Sequence, residues 1–507
     1  MRDSIVVEGS NDRRSHAIVI GSGIGGLAAA VRLGARGYRV TVLEHLDAPG
    51  GRAYVFHENG FVFDAGPTII TAPFLLEELW KLAGRRLEDD IELVPVRPFY
   101  RIRFHDGATL DCSDDDAAMA AQIGRFAPAD VPGYRRFLET SEAIYRVAFE
   151  QLAHVPFDSF AHMLRLAPAL LKLRSYRSVH DLAASCVQHP NLRFALSFHP
   201  LFVGGNPFTT TSIYGLIAFL ERRWGVHCVK GGTGVLVNGM VRLIERQGNR
   251  VRYNARVAQI TTAGRRATGI RLSSGEELRS DIVISNADSA ATYGELVPRE
   301  LRRRWTARKL ARADYSMSLF VWYFGTTRRY REVAHHTILV GPRYRELLRD
   351  IFERKVLAED FSLYLHRPTA SDTSLAPHGC DAFYVLSPVP DLEAQIDWRS
   401  AAEGYRRAIA RCLNDSILPD FERHVVSSRV MTPLDFRDRL LSHQGSAFGL
   451  APTFAQSAWF RPHNRSEDID GLFLVGAGTH PGAGVPGVLS SARVLDRVVP
   501  DAALRTI

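Results

Sequence analysis

The sequence predicts an α/β protein: a Rossmann-like nucleotide-binding domain interwoven with an α+β substrate domain and a mostly helical region. Three observations predict it. A strand, glycine turn, helix, strand and acid follow one another from His16 to Glu44. A second glycine-rich strand–loop–helix stands near the other end, from Gly471 to Val494. Between them, Lys230 to Asp288 returns to nucleotide-fold character, with stretches of another kind on either side. At 507 residues the chain exceeds one ordinary core. The expected segments are 1–84, 226–290 and 441–507 for nucleotide binding, with 85–225 and 291–440 for substrate.

The first unit is built as follows. Ala17 to Ile20 is a short β-branched run, expected as a buried parallel strand. Gly21, Gly23 and Gly26 form G-x-G-x-x-G. Gly21 permits the tight turn, Gly23 lets backbone approach a pyrophosphate, and Gly26 lets the helix pack on the strand. Leu27 to Arg36 is rich in helix formers, and Gly37 ends it. The helix start offers free N–H groups and positive partial charge. Arg39 to Leu43 is the second strand, and Glu44 follows where a carboxylate accepts from ribose hydroxyls. Nicotinamide and flavin dinucleotides share this fingerprint.

Gly50, Gly51 and Arg52 come next, and the planar fork of Arg52 suits phosphate pairing or ring contact. At the far end Leu472 to Val475 is expected as a strand. Gly476, Gly478, Gly482 and Gly484 form a loop able to press on a ligand, and Pro486 is tolerable at the start of the following helix. Two such units far apart suggest one long ligand held by both chain ends, as a two-domain flavoprotein holds FAD.

The chain resembles the bacterial-type phytoene desaturases of the amine-oxidase-like FAD superfamily. The matching pieces include GSGIGGLAAAVRL, EHLDAPGGRAYVF, FDAGPTIIT, HPLFVGGNPF, KGGTGVLVNGM, AHHTILVGPRYREL, SLYLHRPT, QSAWFRPHNR and VGAGTHPGAGVPGV, spread from about Ile18 to Arg493. The resemblance implies FAD held by Gly21, Gly23, Gly26, Glu44, Gly51, Arg52, Val257, Gly476, Gly478, Thr479, Gly487 and Val488. It implies successive dehydrogenation of 15-cis-phytoene towards lycopene, with hydride passing to flavin N5. Oxygen or a membrane quinone would be the electron acceptor. Arg52, Asp64, His199 and Arg343 are the candidate polar helpers in catalysis. Alternatives are a desaturase of a later carotenoid, such as hydroxy- or methoxyneurosporene, and a non-enzymatic prenyl-lipid-binding protein of the same fold. The complete glycine turn, Glu44 and GAGTHPGAG argue against the last. An amine or polyamine oxidase would favour acidic residues or an aromatic cage for its cation.

A C40 hydrocarbon offers nothing to hydrogen-bond, so its site should be an apolar tunnel. Phe194, Phe198, Leu201, Phe202, Phe208, Tyr214, Phe219 and Phe448 are candidate lining residues. The formal net charge is +8. Basic residues gather in FAHMLRLAPALLKLRSYR (160–177) and RELRRRWTARKLAR (299–312). A basic amphipathic segment can lie on an anionic membrane, which suggests a peripheral protein on the cytoplasmic side of the cell membrane. No nucleic-acid motif accompanies these runs, so nucleic acid is not an expected partner. The polar stretch 1–16 lacks an apolar signal core and is expected as a disordered extension. The five cysteines show no ligand or redox spacing and are expected as free core thiols. No metal is expected: His335-His336 is the one adjacent histidine pair, and strand neighbours point to opposite faces. No nucleophile elbow is present; Ser22 belongs to the glycine turn.

Overall fold

The computed structural model describes residues 14–502. The expectation for the N-terminal stretch therefore lies, over residues 1–13, outside the described residues.

The first strand, His16–Ile20, is buried at every position. A strand covered on both faces belongs at the centre of a parallel sheet, and there it lies. It pairs in parallel with Arg39–Leu43 on one side and Ile282–Ser285 on the other. Arg250–Arg252 and Leu472–Leu474 add the outer strands, also parallel. In chain order the five strands run 3-2-1-4-5 across the sheet. Connections therefore leave in opposite directions from the central strand, and a crevice opens at its carboxyl end. Helices Ile24–Ala35, Thr233–Arg246 and Val485–Val498 cover one face with a shared apolar core. The sheet thus draws its strands from three distant parts of the chain.

A seven-stranded mixed sheet forms the second layer. Its order is Val425–Met431, Ser318–Thr326, Asp381–Val389, Leu363–His366, His336–Val340, Tyr100–Phe104 and Thr109–Cys112. Ser318–Thr326 is buried throughout its nine residues, so it too sits inside. One large apolar core joins this sheet to helices Val131–Tyr145, Val179–Cys186 and Pro190–Ser197. A hairpin, Val55–Glu58 with Phe61–Asp64, turns at Asn59-Gly60, both in the left-handed region. It packs Phe56 and Phe63 into that core.

Some local expectations are corrected. The sequence reads Val251 to Ile260 as a single strand, and the structure divides it. Arg250–Arg252 ends in the parallel sheet, Asn254 turns at φ +52°, and Val257–Ala263 begins a separate antiparallel sheet. The cysteines are free, but only Cys228 is buried; the other four are half-buried. No described helix is long and apolar enough to cross a membrane.

Candidate functional site

The two glycine turns meet at Asn286, which follows strand Ile282–Ser285. A Cβ at Gly23 would lie 2.9 Å from its amide nitrogen, and one at Gly25 or Gly476 would lie 2.6 Å from its amide oxygen. The Asn286 side chain thus fills the space left by glycines of both turns. Gly21 and Gly476 also need their conformation, at φ +90° and +93°. Helices Ile24–Ala35 and Val485–Val498 begin at this junction, and neither has a side-chain cap. Their first N–H groups are free to meet an anion.

One cavity of about 790 Å³ takes in both turns. Gly21, Gly23, Glu44, Gly51, Arg52 and Val257 line it, with Gly476, Gly487 and Val488 from the C-terminal loop. Three expected binding residues do not. A Cβ at Gly26 would meet the Gly21 carbonyl oxygen at 2.1 Å, and one at Gly478 the Ser289 hydroxyl at 2.6 Å. Thr479 is fully buried and donates to the Pro462 carbonyl at 2.6 Å. These three shape the turns from behind.

Beyond the turns the cavity runs on between Phe194, Phe198, Leu201, Phe202, Tyr214 and Phe448. Phe208 and Phe219 are not in its wall. Phe208 packs on Tyr344 beneath Arg345, and Phe219 packs on Tyr145. The cavity also reaches Met163 and Leu170 of helix Phe160–Lys172. On the same helix Phe160, Leu164 and Leu171 are 50%, 58% and 62% exposed. Nearby, Trp459 meets Phe160 edge to face at 5.0 Å and receives Arg304 at 4.4 Å.

Among the charged groups that line the cavity are Glu44 and Arg52. Glu44 is buried, which opposes its ionisation, yet hydrogen bonds from His45, Leu46 and Ser22 prevail and hold its pKa at about 2. The Ser22 backbone N–H and hydroxyl donate to one oxygen at 2.8 and 2.7 Å, so Ser22 anchors the acid. The Leu46 N–H donates to the other oxygen at 2.9 Å. Arg52 donates to the Ser442 hydroxyl at 2.9 Å. Burial pushes its pKa down, against the attraction of Asp288. Its Nε is buried with no partner. Two uncapped helix starts, a carboxylate and a guanidinium with a spare donor suit a long ligand carrying phosphate and hydroxyls.

The flavin containing amine oxidoreductase model matches residues 24–494. A lycopene-forming phytoene desaturase of Pseudescherichia vulneris is 51% identical over 94% of this chain and 97% of its own. A neurosporene-forming phytoene desaturase of Rhodobacter capsulatus is 47% identical over 96% and 94%. The chain belongs to the bacterial phytoene desaturase family. Its fold is also that of wild-type putrescine oxidase with putrescine bound, at TM-score 0.66, 14% identity, and 96% and 99% coverage. As a phytoene desaturase family member it is a flavin-dependent oxidoreductase, and the half-buried Arg52 and the glycine cradle fit that cofactor.

Of the four polar helpers, the cavity of this family member takes in Arg52 alone. Asp64 instead accepts from the Thr233 N–H at 2.8 Å, at the start of helix Thr233–Arg246; burial raises its pKa to about 6. Arg343 lies half exposed on the surface, paired with Asp350 and Asp360. His199 stands one residue back from the wall, 3.2 Å from Glu221. Glu221 does line the cavity, and the Tyr100 hydroxyl donates to it at 2.6 Å. Sequence reasoning missed it because an acid in the basic, helical ERRW run resembles a surface residue. Thr68, Tyr364 and Tyr384 also reach the cavity and were missed. His335 and His336 do not diverge. The strand begins only at His336, His335 sits in the bend before it, and their rings lie 4.5 Å apart.

Proposed function

We propose that this protein is an FAD-dependent desaturase converting 15-cis-phytoene, through successive desaturations, to lycopene. The observation that carries this reading is the single cavity joining both glycine turns to a long aromatic and aliphatic chamber. The names of the relatives support the substrate: lycopene-forming phytoene desaturases of Pseudescherichia vulneris and Pantoea ananas are 51% and 49% identical to this chain.

The pyrophosphate of FAD would lie on the start of helix Ile24–Ala35, beside Gly21 and Gly23. Glu44 already accepts four hydrogen bonds, the capacity of a carboxylate. A ribose diol would therefore take the places of the Ser22 hydroxyl and the His45 ring, while the backbone bonds stay. Arg52 would turn its unpaired Nε to the flavin end, and Gly476, Gly487 and Val488 would close over it. When bound, FAD supplies the acceptor for a hydride removed from the substrate. The chain's own part is alignment, dry walls and removal of the accompanying proton. Binding a hydrocarbon rests on apolar burial, at about 25 cal/mol per Å².

Such a substrate dissolves in bilayers. The exposed apolar face of helix Phe160–Lys172, flanked by exposed Arg165, Lys172 and Arg174, supports docking on an anionic membrane where this helix borders the cavity. The second basic run meets the same patch through Arg304 and Trp459. We place the protein on the cytoplasmic face of the cell membrane, with oxygen or a membrane quinone as oxidant. Flavin-loaded protein incubated with phytoene in anionic liposomes is expected to yield lycopene, read by absorption and mass. Phytoene recovered unchanged from a fully flavin-loaded sample overturns the reading.

A further inference from the structure

Each desaturation removes two hydrogens. On the desaturase reading, on which this inference rests, one leaves with the electron pair of its C–H bond. The C–H pair on the neighbouring carbon becomes the new π bond, and its hydrogen leaves as H⁺. An apolar chamber cannot keep that charge.

Apart from Glu221, the chamber wall has a second polar stretch. Thr68, Tyr364 and Tyr384 line the cavity. The Thr68 hydroxyl lies 2.9 Å from that of Tyr384 and 3.5 Å from that of Tyr364. Thr68 follows Gly66, whose backbone rests on Arg52: a Cβ at Gly66 would meet the Arg52 carbonyl oxygen at 2.1 Å. The polar wall is thus next to the proposed flavin end. The Tyr364 hydroxyl lies 2.6 Å from Nδ1 of His336. Behind it the Nε2 atoms of His366 and His335 are 3.1 Å apart. His335 Nδ1 then lies 2.7 Å from the Ser371 hydroxyl, and Ser371 is exposed.

The line has one interval, between His336 and His366. There His336 Nε2 and His366 Nδ1 are buried without a hydrogen-bond partner. One ring nitrogen from each of the three histidines lies within 4.8 Å of the other two. A water would bridge a gap of that size with two hydrogen bonds of about 2.8 Å. Against His335 and His366 lies a void of about 10 Å³, lined also by Asp64, Thr68, Cys228 and Asp372. It has room for a single water. Burial, with Arg367 nearby, pushes the His335 pKa down to about 3, and burial lowers those of His336 and His366 as well. Each ring is therefore neutral, with one donor and one acceptor nitrogen, and can pass a proton on without keeping it.

A metal ion is the rival occupant. The His336 and His366 rings are stacked, 5.3 Å apart and 18° from parallel. Their in-plane lone pairs do not converge as tetrahedral ligation needs.

We propose that Thr68, Tyr364 and the His336, His366 and His335 set carry the substrate-derived proton from the cavity wall to Ser371 at the surface.

The test is anaerobic mixing of flavin-loaded enzyme with phytoene in liposomes, following flavin bleaching. Tyr364→Phe and His366→Gln are compared with wild type. Both variants are expected to keep wild-type flavin content and phytoene KM. Both should bleach at least ten-fold slower and slow further in deuterium oxide than wild type does. Wild-type bleaching rates in both variants overturn the relay and leave the desaturase reading standing. A flavin-loaded wild type that phytoene does not bleach overturns the desaturase reading itself. If His366→Gln does not fold, Tyr364→Phe, which loses one oxygen, decides alone. A stoichiometric metal in the purified protein overturns the relay in favour of a metal centre.

Discussion

At Gly23 the backbone lies at φ −64°, ψ 165°, open to any L-residue, and what the position lacks is room. A Cβ there meets the Asn286 amide nitrogen at 2.9 Å, and larger side chains enter the cavity. Gly23→Val should overpack the junction by about 1–3 kcal/mol, which lowers flavin affinity roughly ten- to hundred-fold. The purified variant should be folded by circular dichroism and nearly colourless; wild-type flavin occupancy would refute the cradle. Glu44 gives a second residue-scale prediction. Glu44→Gln keeps the shape but turns an acceptor oxygen into a donor facing the Ser22 or Leu46 N–H, so flavin retention should fall again, measured by equilibrium dialysis. Gly21, Gly23, Glu44 and Gly476 were legible because their signal is local: a strand, a turn and an acid within thirty residues. Asn286, Glu221, Thr68 and Tyr364 were not, because what matters for each is a neighbour over a hundred residues away or a wall built from several elements. Gly26, Gly478 and Thr479 show the opposite error, since a motif residue can serve a turn without touching its ligand.

Helix Phe160–Lys172 carries the element-scale argument. It offers Met163 and Leu170 to the cavity while Leu164 and Leu171 stand 58% and 62% exposed. A helix that only covered the core would turn its leucines inward. Leu164→Glu with Leu171→Glu should lower flotation with anionic liposomes several-fold and leave the thermal midpoint within about 1 °C, because neither side chain is buried. Neutralising Arg165, Lys172 and Arg174 should lower flotation mainly at low salt, where charge attraction is unscreened. Unchanged flotation in both variants would remove this helix from the docking surface. At this scale the sequence pattern was partly readable: the β-branched run Ala17 to Ile20 became the central strand of the parallel sheet. It failed where one glycine-free position bends the chain, at Asn254, and where a strand starts a residue later than the histidine pair suggests. Neither break leaves a mark in periodicity.

Over the whole molecule, parallel strands from three parts of the chain converge on one crevice, and that assembly buries titratable groups far apart in sequence. Interweaving itself could be inferred from two separated glycine units; which histidines it would bury could not, because burial depends on the opposing sheet. Burial is the main cause holding His16 and His480 at a pKa of about 4 and His335 at about 3, and His336 and His366 are lowered too. Each stays neutral in the fold while an unfolded-chain histidine, near pH 6.5, takes up a proton. Between pH 6.5 and 4 the unfolded chain therefore binds more protons, and acidification favours unfolding. His16, His335 and His480 each contribute on the order of 1–2 kcal/mol by pH 5.5 to 5, and His336 and His366 act in the same direction. Asp64 works the other way: raised to about 6, it holds a proton in the fold that the unfolded chain gives up above about 3.8, so acidification through that window favours the fold. Glu44, lowered to about 2, matters only below its ordinary value of 4.5, where its stabilisation is lost as pH falls. These five histidines outweigh Asp64 and Asp391, which burial also raises, so the thermal midpoint of the flavin-saturated protein should drop by several degrees from pH 7.5 to 5.5. Differential scanning calorimetry reads this directly, and a flat or rising midpoint would show that these rings are protonated in the fold. In His16→Gln, whose ring otherwise contacts the Arg279 carbonyl and the Thr41 hydroxyl at 2.8 and 3.0 Å, the drop should be shallower, since one of the five proton uptakes is gone.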